Sequence, residues 1–393
     1  MPRLTPYLGT ALAFFVVGLV LIFSNKLAVI PTPLPPLTAS STDISIVPTI
    51  TSSPSVFPNR NPQANTTTPT SSTTTISKKQ SIKTSTPLPI PKTIPAPPQA
   101  TSTPTESSST PPIATLASSG LTTTATEIRT ALVNIICYAP AGSGIHSISA
   151  SGIFIDSKGI ILTNAHVAQY FLLADKGVVC DIRTGSPATD AYSAKLLYVS
   201  PSWVQANATV LVQTAPSGTG QYDFALLGVT ESLTSEALPS TFPSLRLAHA
   251  PAPINTPVVI ASFGAQFLSP NKIQSDLFPT IVYGSVKNVF TFATDTADVL
   301  SLGGSAAAQE GSSGGGVADA SGTLVGTITT STVVGTTATR TLSAITASYI
   351  RSEYAQETGD TLDSLLALPI AVSSQNFALK IPALESIITA QLP

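Results

Sequence analysis

Charged side chains are scarce in this 393-residue chain. Lysine, arginine, aspartate and glutamate together make up 10% of it, and the formal net charge is −2. A protein that binds nucleic acid normally carries a basic patch that meets the phosphate backbone. The sequence contains no such patch and therefore argues against a nucleic-acid partner.

Histidine is also rare, and its positions exclude one class of enzyme. The stretch 311–316, Gly-Ser-Ser-Gly-Gly-Gly, surrounds Ser313 with residues that allow a tight turn and a close approach to substrate. By itself it is equally compatible with a flexible Gly/Ser loop. It also matches the G-x-S-x-G elbow of α/β-hydrolases, in which a histidine follows the serine. All three histidines, His146, His166 and His249, precede Ser313, so that order is impossible.

The order histidine, aspartate, serine remains open. His166 follows the apolar segment 160–163, and Asp223 stands before the apolar segment 224–227. A serine nucleophile needs a base such as histidine, and the base needs an orienting acid. The alternative order aspartate, histidine, serine would need an acid well before His166, and Asp156 is disfavoured for it because it lies only ten residues upstream, in the same predicted hairpin. Three signals in one workable order favour a catalytic site.

The motifs around these residues resemble those of trypsin-like serine proteases, and most of all the bacterial HtrA/DegP-type branch. Residues 151–156 and 162–167 are similar to the strand, turn and histidine motif of that family. Asp-Phe-Ala-Leu-Leu at 223–227 resembles its acid motif, and 311–316 resembles its nucleophile motif. The resemblance covers roughly residues 127–350 and implies a serine endopeptidase.

The resemblance assigns a role to each candidate. Ser313 is the expected nucleophile, His166 the base and Asp223 the orienting acid. The backbone amides of Gly311 and Ser313 are expected to bind the oxyanion. Protein or peptide is the expected substrate, and no metal or cofactor is implied.

Two positions depart from the family pattern. Ser312 replaces an asparagine or aspartate, and Gly316 replaces a proline. These departures leave a second interpretation open, in which the chain is a cell-surface binding module on a stalk without meaningful turnover. Ser312 is also uncharged, so we expect no activation through an ion pair with a newly cut N-terminus.

Many short apolar segments bounded by turns predict an all-β domain over residues 125–360. The family fold consists of two six-stranded antiparallel β-barrels, with His166 and Asp223 on the first and Ser313 on the second. A helix is expected at 347–358.

Gly359 is expected to cap that helix. The C-terminal tail, 361–393, contains a possible helix at 383–392. It is too short for the PDZ domain that usually follows an HtrA-type protease.

The N-terminal part has a different composition. The uncharged run 7–23 follows Arg3 and predicts a transmembrane signal-anchor within residues 1–30. A cleaved signal peptide is the alternative. Residues 31–124 are rich in proline, serine and threonine, which predicts a disordered linker. The protease domain is then expected outside the cytoplasm, on a single-pass membrane protein.

Only two cysteines occur, Cys137 and Cys180, and each lies in an apolar strand. An even number in an exported domain favours a disulfide, although two buried thiols would also fit. The segment 304–309, where the family builds one wall of its specificity pocket, contains no acid. We therefore expect small or medium apolar side chains at the cleavage site.

Overall fold

The computed structural model describes residues 50–51, 113–213, 217–293, 296–331 and 335–392. The apolar run at 7–23 and most of the predicted linker lie outside these ranges. Within them, no helix has both the length and the apolar character needed to cross a membrane. A short ribbon pairs β1 (Ile50–Thr51) with β7 (Ser217–Gly218).

Six antiparallel strands form a closed barrel, which confirms the first of the two predicted barrels. Neighbouring strands around the barrel are hydrogen-bonded in the order β2-β3-β4-β8-β6-β5. Their bounds are β2 Leu132–Tyr138, β3 Ile148–Asp156, β4 Ile160–Thr163, β5 Val179–Gly185, β6 Ala188–Val199 and β8 Ala225–Ser232. Apolar β-branched side chains favour these strands, and every residue of β2 and β4 is buried.

The second sheet has seven antiparallel strands in the order β10-β9-β13-β14-β15-β12-β11. Their bounds are β9 Pro257–Ser262, β10 Thr280–Ser285, β11 Asn288–Phe290, β12 Val299–Ser301, β13 Gly316–Asp319, β14 Leu324–Ser331 and β15 Leu342–Thr346. These strands form an antiparallel half-barrel, which agrees with the predicted all-β architecture, whereas the closed six-stranded form of the second barrel stays a prediction.

The two edge strands, β10 and β11, follow one another in the chain. Val286 donates its backbone N–H to the carbonyl of Thr256, before β9, whereas Lys287 donates to Ser301 in β12. The chain thus changes its pairing partner between these two residues, and β10 and β11 lie at opposite edges of the sheet.

The helices are α1 Ile113–Ala131, α2 Ala165–Ala168, α3 Pro201–Asn207, α4 Pro270–Ser275, α5 Ala347–Thr358, α6 Leu362–Ala367, α7 Ile370–Ala378 and α8 Ile381–Thr389. Two 3₁₀ segments lie at Gln169–Lys176 and Val210–Val212.

Helix α1 begins inside the segment predicted to be a linker. It buries Ile128 and Ala131 completely. Thr124, also buried, donates its hydroxyl to the carbonyl of Asp319 in β13 at 3.0 Å. The ordered domain therefore starts before the predicted boundary at residue 125, because the Ala/Thr-rich end of this segment has a sheet to pack against.

Helix α5 has the bounds that the sequence predicts, and Gly359 caps it with a φ of 76°. The segment predicted as a tail folds into three helices on the first barrel. The ring of Phe377 packs 6.1 Å from that of Tyr198 in β6. Leu384 and Ile388 are buried.

The last helix begins slightly earlier than predicted, at Ile381. Pro382 lies in its first turn, where the fixed φ of proline suits a helix start. Glu385 in this helix forms an ion pair of 2.8 Å with Lys176 of the barrel.

The two cysteines lie opposite each other on neighbouring strands. Cys137 in β2 and Cys180 in β5 are register partners. Their Cα atoms are 4.1 Å apart, and a disulfide joins their sulfur atoms.

Candidate active site

The pairing of β4 with β8 brings His166 next to Asp223. Thr163, the last residue of β4, lies opposite Ala225, the first residue of β8. Asn164 is the N-cap residue of α2, and His166 lies in the first turn of this helix. Asp223 lies two residues before the neighbouring strand β8, so the two side chains meet at one end of the barrel.

Asp223 holds His166 at two points. One carboxylate oxygen, Oδ1, accepts the backbone N–H of His166 at 2.9 Å, and Oδ2 lies 2.8 Å from the ring atom Nδ1. The Asp223 side chain is 5% exposed and that of His166 is 23% exposed. When Nδ1 donates to the carboxylate, Nε2 is the nitrogen that can accept a proton.

The second sheet contributes a third hydrogen bond to this carboxylate. Thr329 in β14 donates its hydroxyl to Oδ2 of Asp223 at 2.7 Å. Asn164 donates from Nδ2 to the backbone carbonyl of Asp223 at 2.9 Å. The aspartate is therefore fixed from both sheets, in a buried position where its lone pairs are satisfied.

The loop that carries Ser313 packs against the strands that lead to His166. Ser151 in β3 donates its N–H to the carbonyl of Ser313 at 2.8 Å. A Cβ atom on Gly314, whose φ is +83°, would lie 2.4 Å from Oγ1 of Thr163. Only glycine permits this approach. The absence of a side chain at Gly314 therefore allows the serine loop to pack against the end of β4.

The amides predicted to bind an oxyanion are free. In the described part of the chain, neither Gly311 nor Ser313 donates its backbone N–H to another residue. Gly311 has a φ of +90°. The Ser313 hydroxyl likewise has no hydrogen-bond partner among the described residues.

Hydroxyl groups hold this loop in place. The Ser151 hydroxyl donates to the carbonyl of Gly311 and accepts the N–H of Phe263, both at 2.8 Å. Ser312 is 1% exposed, and its hydroxyl accepts from Ser262 at 3.0 Å. The loop therefore reaches its conformation without an ion pair at Ser312.

The segment 304–309 lies against Arg340. Ala307 and Ala308 are fully buried, and Arg340 donates from Nη1 to the carbonyl of Ala308 at 2.8 Å. Glu310 follows this segment. Burial raises its pKa, and the nearby charge of Arg340 opposes that rise.

The other histidines and acids that the sequence offers lie elsewhere. The carbonyl of His146 accepts the hydroxyl of Tyr170 at 2.8 Å. Asp190 forms an ion pair of 3.1 Å with Arg183. His166 and Asp223 are thus brought together as a pair, with the loop of Ser313 packed beside them.

Sequence reasoning missed Thr329 and the structural role of Ser151. Ser151 begins the quoted strand motif, so its position carries a signal. Thr329 is one of many threonines in an apolar strand, and nothing in the sequence distinguishes it.

Comparison with protein families gives one match, to the trypsin-like peptidase domain, over residues 150–326. This interval contains His166, Asp223 and Ser313. A search of curated proteins gives no match.

Two of the similar solved structures are the Rv3671c protease and Deg5. The active form of the Rv3671c protease from M. tuberculosis is 18% identical, with 66% of this chain and 95% of that chain covered and a TM-score of 0.38. Deg5 is 14% identical, with coverages of 59% and 91% and a TM-score of 0.39. On the family match, residues 150–326 form a trypsin-like peptidase domain, which supports a serine protease.

Proposed function

We propose that this protein is an endopeptidase in which Ser313, His166 and Asp223 form the catalytic triad. The observation that carries the proposal is the two-point hydrogen bonding of His166 by Asp223, 2.9 Å to the backbone and 2.8 Å to the ring. This arrangement fixes both the position and the tautomer of the imidazole, as a general base requires.

In this mechanism the hydroxyl oxygen of Ser313 attacks the scissile carbonyl while Nε2 of His166 takes the hydroxyl proton. The same nitrogen then delivers the proton to the leaving amine, and water later repeats the sequence on the acyl-enzyme. Asp223 stays ionised and stabilises the imidazolium.

The amides of Gly311 and Ser313 receive the developing oxyanion. Each such donor contributes about 100- to 1,000-fold in rate. The free N–H groups of these two residues support this role.

A fluorophosphonate probe tests the proposal directly. We expect the intact chain to label on Ser313, located by mass spectrometry of the labelled peptide. A stalked binding module without turnover would not label. Labelling on any other serine would also contradict the assignment.

We further expect labelling without prior proteolysis. The loop at 310–313 is held by neutral groups, namely the hydroxyls of Ser151, Ser262 and Ser312. A buried neutral hydroxyl offers no charge to draw in an ammonium group. The full chain, shown by mass spectrometry to be uncut, is expected to label at the same rate as chain nicked within 31–112. Labelling only after a defined cut near 127–137 would contradict this expectation.

We also propose that the protein is a single-pass membrane protein with the peptidase domain outside the cytoplasm. The apolar run 7–23 behind Arg3 favours an inside N-terminus, and the Pro/Ser/Thr-rich segment then acts as a spacer. Protease added to intact cells is expected to release the domain by cutting within 31–112. A domain that survives in intact cells and is cut only after lysis would reverse the orientation.

A further inference from the structure

We propose that Tyr349 is a positioning residue for the catalytic aspartate. This inference rests on the proposed function and extends its site to helix α5. Tyr349 touches neither substrate nor reacting atoms, and acts through the backbone that carries Asp223.

The backbone before Asp223 has an unusual conformation. Tyr222 has a φ of +59°, in the left-handed region that residues with a side chain rarely adopt. The next residues turn sharply, because Phe224 donates its N–H to the carbonyl of Tyr222 at 2.8 Å. Asp223 therefore lies at the centre of a tight, strained turn, and such conformations persist only where their surroundings enforce them.

The hydroxyl of Tyr349 is one of the groups that enforce it. The backbone N–H of Tyr222 donates to this hydroxyl at 3.0 Å. Without this acceptor, the N–H would lose its partner at the strained residue. Rotation of the Tyr222 peptide would then redirect the Asp223 carboxylate away from His166.

Tyr349 is itself rigidly held, as a positioning group must be. Its backbone N–H donates to the Thr346 hydroxyl at 3.0 Å, which caps helix α5. Its ring packs 5.1 Å from that of Phe292, and the residue is 5% exposed. Burial raises the pKa of the Tyr349 hydroxyl, so the hydroxyl keeps its proton at neutral pH.

The Asp223 carboxylate and the backbone before it are thus held by the second sheet and by helix α5, which follows that sheet. Thr329 in β14 donates to the carboxylate, and Tyr349 follows β15, which pairs with β14. Two hydroxyls from adjacent elements therefore align an aspartate that belongs to the first barrel.

The test compares Tyr349→Phe with Tyr354→Phe in the full chain. Tyr354 lies one and a half turns later in the same helix, is 6% exposed and packs its ring edge-on against Tyr198. Each substitution removes one hydroxyl from a buried tyrosine of α5. Tyr354→Phe therefore controls for the general destabilisation that such a change causes.

For Tyr349→Phe we expect kcat for a peptide substrate to fall about 10- to 100-fold, the scale of a slightly misplaced catalytic group, with KM within about twofold of wild type. Tyr354→Phe is expected to keep the wild-type kcat even if its Tm changes as much. The proposal is overturned if Tyr349→Phe keeps the kcat of Tyr354→Phe. It is also overturned if kcat falls in both variants in proportion to their loss of Tm.

A second readout separates this inference from the proposed function. The proton between Nδ1 of His166 and Asp223 is expected to give a low-field NMR resonance that does not depend on turnover. Tyr349→Phe is expected to shift or broaden it, while Tyr354→Phe leaves it unchanged. An unshifted resonance in Tyr349→Phe refutes the positioning role, whereas failure of the wild-type chain to hydrolyse or label refutes the endopeptidase.

Discussion

Ser313→Ala is expected to lower kcat by about a million-fold, the loss seen when a triad nucleophile is removed. The change deletes only the attacking oxygen. The Ser313 hydroxyl makes no hydrogen bond among the described residues, so the fold and the Tm are expected to stay the same. Covalent labelling by the fluorophosphonate is expected to disappear entirely.

A matched control is Ser374→Ala in helix α7, a half-buried serine whose hydroxyl donates to the carbonyl of Ala371 at 3.1 Å. This variant is expected to behave as wild type. If Ser313→Ala still labels or turns over, another serine is the nucleophile. A catalytically silent variant with a lowered Tm would instead indicate that the substitution damages the fold.

Asp223→Asn is expected to lower kcat by about 10,000-fold with little change in KM, because the aspartate does not contact substrate. An amide cannot accept at both oxygen positions. Its NH₂ group would face either Nδ1 of His166 or the backbone N–H of His166. The Thr329 hydroxyl would then compete for the single remaining oxygen. The imidazole would then adopt the wrong tautomer.

The companion variant is Asp190→Asn, which removes one of the other acids in the strands of the first barrel. Asp190 pairs with Arg183 at 3.1 Å, so its loss is expected to affect Tm rather than kcat. Steady-state kinetics of both variants, measured at the same pH, show whether Asp223 or Asp190 is the orienting acid. Full activity in Asp223→Asn together with a large loss in Asp190→Asn would reassign the orienting acid.

The sequence carries the first barrel and the histidine–aspartate pair because both depend on local patterns. Apolar strands end at Thr163 and begin at Ala225, and His166 and Asp223 lie close to these ends. The strand pairing of the second sheet cannot be predicted in this way. The chain changes its pairing partner between Val286 and Lys287, which are two ordinary residues.

The hydroxyl groups of Thr329 and Tyr349, which support Asp223 and the residue before it, could not be predicted from the sequence for a related reason. Thr329 lies 106 residues from Asp223, and Tyr349 lies 127 residues from Tyr222. Contacts at such separations are created by the fold, and threonine and tyrosine occur in many strands and helices without any such role. Only the register of β14 against β15, and the cap at Thr346, place these two side chains.

The C-terminal helices are difficult to predict because they are short, with 9 residues in each of α7 and α8. Helices α7 and α8 each bury only a few side chains, including Phe377 and Ile388. Their stability comes from packing on the barrel rather than from the helix itself. A segment that looks like a tail in isolation therefore becomes part of the domain.

The packing of Phe377 on Tyr198 has a consequence for biosynthesis. Domains tend to fold as they leave the ribosome, beginning with the N-terminal part. Here the strands of the first barrel emerge early, but the helix that carries Phe377 and packs on one side of that barrel is made much later. The nascent chain therefore exposes that side throughout translation of the second sheet, and the newborn enzyme completes its structure late.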